Sequence, residues 1–196
     1  WTVTHQDDFS ISMQMAGTDW WPWSYKCSQA IRLEPGRVIM SLNVTNLDTD
    51  EMPVGLGFHP YFPRDEQTEL AYKAAGMVRP MADRPLQIEP LTPPTDFSHG
   101  TGVDACDLDH GYAGWDGLAK IRQPGEGLEI TVRTNASPAG AVVYVPPEAP
   151  FFCFEPVSQI NGAFEMDRTA ETGLRTLKPG ESFEFSVVFD VQVRQS

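Results

Sequence analysis

The chain has 196 residues, 41% of them hydrophobic and 21% charged, the balance of an ordinary globular protein built on one core. Its 27 acidic side chains against 14 basic ones give a formal net charge of −13, a field that repels phosphate backbones and anionic lipid heads and argues against nucleic-acid and membrane partners. No apolar run approaches the roughly 20 residues of a membrane-spanning helix.

Along the chain the dominant hydrophobic period is two. Phe9, Ile11, Met13 and Met15 alternate with Ser10, Ser12 and Gln14, the pattern of a half-buried strand. Glu34-Pro35-Gly36-Arg37 then predicts a tight turn, because Pro presets one torsion and Gly supplies the positive one. It leads from Ile31 and Leu33 into a strand where Val38, Met40, Leu42 and Val44 alternate with Ile39, Ser41, Asn43 and Thr45. Asp65 to Ala75 is the main stretch that reads as helix. Pro80 to Pro94 reads as a surface loop, since its prolines defeat both helix and central strand. Asp107 to Gly117 reads as a Gly-rich loop, followed by a strand with Leu128, Ile130 and Val132 on one face. A second turn, Lys178-Pro179-Gly180-Glu181, precedes the clearest strand, in which Phe183, Phe185, Val187, Phe189, Val191 and Val193 alternate. The 16 glycines and 17 prolines interrupt nearly every window long enough for a helix. Many short strands with turn punctuation predict an all-β antiparallel sandwich, one domain over residues 1–196. Cys27, Cys106 and Cys153 are odd in number and irregularly spaced, which predicts free thiols in a reducing compartment, the cytoplasm, with Cys153 packed in the core.

Three segments carry chemistry. His59 sits at a strand end within Phe58-His59-Pro60-Tyr61-Phe62, where an imidazole held by rigid neighbours can exchange protons; on spacing alone a structural ring bonded to a loop carbonyl is the favoured reading. Glu155 follows four apolar residues, Phe151 to Phe154. A carboxylate there is either held near a cleft with its pKa raised by desolvation, or is the first outward residue of the strand end before Pro156. Asp107 to Gly117 gathers Asp109, His110, Tyr112 and Trp115, a mixture suited to a sugar's apolar face and hydroxyls, and suited also to an acidic surface loop. Cys106 and His110, with Asp104 and His99, lack a matching metal-ligand spacing, so no metal site is expected.

Taken together, Trp21-Pro22-Trp23, Asn46 through Phe62, Leu108-Asp109-His110 with Gly114 to Gly117, Phe152 to Ser158, and Gly173-Leu174-Arg175 with Leu177 to Glu181 resemble the aldose 1-epimerase family, in its galactose mutarotase-like branch. The resemblance runs through most of the chain and corresponds to the C-terminal two-thirds of a typical member. It implies a galactose mutarotase-like β-sandwich lacking its N-terminal strands, which a preceding segment or a second chain would complete. It implies an isomerase interconverting α and β anomers of an aldohexose, with Glu155 as general base, His59 as general acid, and Asp109, Tyr61 and Trp115 at the sugar. No metal or organic cofactor is implied. Gln159 and Glu165 depart from the branch, which often has His and Asn there. Two alternatives stay open: the same chemistry on a hexose 6-phosphate, with Arg64, Arg79 and Arg84 as candidate phosphate ligands, and a non-catalytic sugar-binding protein on the same fold.

Overall fold

The computed structural model describes residues 1–17, 21–81, 84–104, 106–135, 139–166 and 169–194, with side chains described for these except at 79–81, 84–86, 139 and 169–170. Four strands open the chain: β1 (Thr2–Gln6), β2 (Ser10–Ala16), β3 (Tyr25–Glu34) and β4 (Arg37–Asn46). Six short ones follow: β5 (Met52–Val54), β6 (Tyr61–Pro63), β7 (Glu69–Tyr72), β8 (Gly76–Met81), β9 (Arg84–Glu89) and β10 (Thr101–Gly102). The rest are β11 (Leu108–Trp115), β12 (Leu118–Gln123), β13 (Leu128–Thr134), β14 (Ala139–Val145), β15 (Phe151–Val157), β16 (Arg175–Leu177) and β17 (Ser182–Val193). Helix is confined among the described residues to two 3-10 turns and the four-residue Thr169–Thr172.

The strands form a nine-stranded sheet, ordered β1-β2-β3-β4-β17-β13-β12-β7-β10, and a six-stranded sheet, ordered β6-β15-β14-β11-β8-β9, with β16-β5 as a separate pair. The predicted all-β antiparallel sandwich is the observed one. Alternation explains the layering. Phe183, Phe185, Val187 and Phe189 of β17 are buried on one face, and Phe152 and Phe154 of β15 with Val143 and Val145 of β14 meet them in a single core cluster. Each such side chain contributes about 1.5–3 kcal/mol of transfer free energy. Gly36 (φ 67°) and Gly180 (φ 78°) occupy the left-handed region that the two predicted turns require.

Three expectations are corrected. Asp65 to Ala75 is not helical: Asp65 Oδ1 accepts hydrogen bonds from the Gln67 amide and the Thr68 hydroxyl, closing a turn, and β7 then buries Leu70 and Tyr72 with period two. Pro80 to Pro94 is not wholly loop, because β8 pairs with β9. Pro80 falls at the register shift between Arg79 and Met81, and Pro85 lies on the sheet's edge strand, the two places where a missing N–H is tolerated. Asp107 to Gly117 is mostly strand: β11 is paired on both sides, to β14 and β8.

Candidate functional site

The six-stranded sheet has one face on the core and one turned away from it. Cross-strand partners share a face, so the register sorts the candidates. Asp109 lies opposite Tyr144, Tyr144 opposite Cys153, and Cys153 opposite Tyr61. One step along, Gly111, Val142 and Glu155 form the next row. Both rows are on the face away from Phe152 and Phe154, because Cys153 and Glu155 alternate with them on β15. Part of this face is covered by a second apolar cluster of Val78, Ala113, Ile160 and Ala163.

His59 reaches the same place from the connection between β5 and β6. Gly57 bridges Val157, and the Phe58 amide donates to the Pro156 carbonyl at 3.0 Å, which fastens the segment against the end of β15. Phe58 turns inward to stack on Phe185, so His59 points out. His59 Nε2 lies 3.2 Å from Glu155 Oε1; the histidine side chain is 51% exposed and the glutamate 13%. The His59 ring stacks on Tyr61, with centroids 4.9 Å apart, and Tyr61 leans in turn on Phe151. Burial pushes the Glu155 pKa up, the His59 ring opposes that, and the Asp109 charge adds to it. The pair is thus a half-exposed imidazole facing a sheltered, reluctantly charged carboxylate, an arrangement that can hold a proton at one atom and accept one at another.

The structure therefore brings together Glu155, His59, Tyr61 and Asp109. It does not bring Trp115. A bulge between Tyr112 and Trp115, with Gly114 at φ 65°, reverses the parity of β11, and Trp115 ends fully buried against Phe154 with its indole N–H donating to the Leu118 carbonyl at 2.9 Å. Its ring has no free face to offer a sugar, which corrects the expectation. His110 falls on the core side of β11, its Nδ1 buried and unpartnered. Arg64 donates to the carbonyls of Ala149 and Pro146, so two of its nitrogens hold the loop before β15; the side chains of Arg79 and Arg84 lie outside the described residues.

Sequence reasoning placed Cys153 in the core. It is fully buried and free, yet its sulfur belongs to the site: His59, Cys153 and Glu155 have ligand atoms within 4.8 Å of one another. The signal was available, since a residue two before Glu155 on a strand must share its face. Among the described residues Cys106, His110, Asp104 and His99 assemble no group of three. Gln159, four residues beyond Glu155, lines a separate apolar groove of about 500 Å³ with Trp21, Tyr25 and Phe164.

The chain resembles known proteins in sequence and in fold. The family model described as aldose 1-epimerase matches residues 1–190. The Escherichia coli K12 protein YphB, itself uncharacterised, is 32% identical over 169 residues, which are 82% of this chain and 58% of YphB. The chain thus spans little more than half of that curated relative. A crystal structure from Escherichia coli K12, described only provisionally as an aldose 1-epimerase, has a TM-score of 0.86 at 28% identity, over 98% of this chain and 68% of its own. A galactose mutarotase-like protein of Lactobacillus casei has a TM-score of 0.78 at 20% identity, over 97% of this chain and 72% of its own, a likeness of fold alone.

Proposed function

The chain belongs to the aldose 1-epimerase family, and from that premise we propose that it interconverts the α and β anomers of an aldohexose by acid–base ring opening. The observation that carries the reading is the 3.2 Å contact between His59 Nε2 and Glu155 Oε1, an exposed imidazole meeting a sheltered carboxylate.

In the proposed cycle Glu155 takes the proton of the anomeric hydroxyl. The O–H electron pair becomes the second bond of the C1 carbonyl, and the C1–ring oxygen bond breaks. Its electrons stay on the ring oxygen, which takes the proton held by His59 Nε2. Rotation about the C1–C2 bond presents the other carbonyl face, and the same transfers in reverse close the ring and restore both groups. The two side chains touch at 3.2 Å, so the sugar must enter between them, its anomeric hydroxyl on Glu155 and its ring oxygen on His59. Asp109, on the row beside Glu155, would accept hydroxyl protons from the same sugar, and Tyr61 would steady the His59 ring by stacking.

Polarimetry of freshly dissolved α-D-galactose and α-D-glucose tests this. The chain should speed the approach to equilibrium, and Glu155→Gln should lose roughly 100- to 10,000-fold of that acceleration while still binding sugar. Acceleration that survives Glu155→Gln would remove Glu155 as the base. Sugar binding by the unaltered chain with no acceleration would favour the non-catalytic reading.

A further inference from the structure

We propose that His59, Cys153 and Glu155 form a three-ligand site for a thiophilic divalent cation, zinc foremost, and that occupying it switches the acid–base pair off. The binding claim stands on geometry alone; the switching claim rests on the epimerase reading given above.

Three donors from two segments converge. Cys153 and Glu155 project from alternate positions of β15 on one face, and His59 descends on them from the β5–β6 connection. With zinc bonds of about 2.0 Å to nitrogen and oxygen and about 2.3 Å to sulfur, tetrahedral ligand atoms stand about 3.3–3.5 Å apart. His59 Nε2 and Glu155 Oε1 are already 3.2 Å apart, and the sulfur lies within 4.8 Å of both. The donor set of thiolate, imidazole and carboxylate selects zinc or its softer congeners over magnesium and calcium, which prefer oxygen. Three protein ligands leave one tetrahedral position open on the half-exposed His59 side, where a water completes the shell.

Charge also fits. Binding releases the thiol proton to solvent, and the two anionic ligands with a neutral imidazole cancel the dication. The metal then occupies the lone pair of His59 Nε2 that would carry the acid proton and the Glu155 oxygen that would take the sugar's proton. Neither transfer can proceed while it is bound. Cys153 lies outside the core cluster that takes in its neighbours Phe152 and Phe154.

Cobalt(II) serves as the spectroscopic probe and zinc as the inhibitor, both added to the full chain. Cobalt should produce a sulfur-to-metal charge-transfer band with intense tetrahedral d–d absorption, lost in Cys153→Ala and Cys153→Ser and kept in Cys27→Ala. His59→Ala should weaken cobalt binding by about 10- to 100-fold or more, the loss that even outer-shell changes cause. Zinc should inhibit anomer interconversion, and in the Cys153 variants half-inhibition, read against each variant's own zinc-free rate, should need at least about tenfold more zinc. A wild-type chain without the sulfur band, or a band unchanged in both Cys153 variants, overturns the site. Equal zinc inhibition of wild type and Cys153→Ser overturns the switch. If the chain shows no epimerase activity, the cobalt band still decides the site, and only the functional reading falls.

Discussion

A carboxylate that serves as a base must ionise at working pH without holding its charge so comfortably that it will not take up a proton. Glu155 is set between those demands by burial, which raises its pKa, by His59, which lowers it, and by Asp109, which raises it again. Since only the ionised form accepts the sugar's proton, kcat/KM should fall on the acid side as pH drops through a value above the ordinary glutamate range. Removing the Asp109 charge makes ionisation easier, so Asp109→Asn should move that acid limb to lower pH, whatever it does to the height of the profile. A limb that stays put or moves up would show that the Asp109 charge does not act on Glu155. At this scale the sequence was legible where a residue contradicts its surroundings: a Glu after four apolar residues, a His between Phe and Pro. Cys153 is fully buried, as its apolar neighbours predict, and alternation sets it on the face of Glu155. The sequence misled where parity decides. Trp115 looked like a sugar platform because nothing local reveals that a bulge at Gly114 turns it inward.

The elements matter by where they are fastened. His59 belongs to no strand, so its position depends on the bridge between Gly57 and Val157 and on the Phe58 amide bond to Pro156. A Cβ on Gly57 would stand 2.7 Å from Val157 Cγ1 and 3.3 Å from the Pro156 carbonyl oxygen, so either the Val157 side chain or this segment must shift to admit it. Gly57→Ala should therefore cost about 1–3 kcal/mol of stability and lower kcat along with it, measured by urea unfolding and polarimetry. Gly102→Ala is the control, because its added Cβ meets nothing within 4 Å. Equal stability and activity in the two variants would mean that the bridge does not hold His59. Strong alternation makes β2, β4, β13 and β17 legible in the amino-acid pattern alone. The strands that escape such reading are short or carry Gly and Pro: β7 holds only four residues after an Asp-capped turn, and β9 contains Pro85 on an edge where the sheet asks nothing of its nitrogen. Such segments are strands because their neighbours pair with them, and pairing is a long-range fact.

Across the whole molecule the two layers are closed to different degrees. Around β13, β17, β14 and β15 the sheets meet through side chains with almost no solvent contact, among them Val132, Phe185, Val143 and Phe154. At the other end, β1 is exposed at every position and pairs only with β2, and the groove of about 500 Å³ lined by Met15, Trp21, Tyr25 and Phe164 opens beside β2 and β3. Local opening is governed by the buried apolar contacts an element would lose, so the molecule should not open as one unit. In native-state hydrogen exchange the paired amides of β1 and β2 should exchange by local opening, well before those of β13, β14, β15 and β17, which should approach the free energy of global unfolding. The site lies at the protected end, since Cys153 and Glu155 are part of β15. In the proposed mechanism that placement gives Glu155 a rigid floor. Uniform protection across β1 and β15 would contradict the gradient, and rapid exchange in β15 itself would remove the rigid support on which the proposed proton transfers depend.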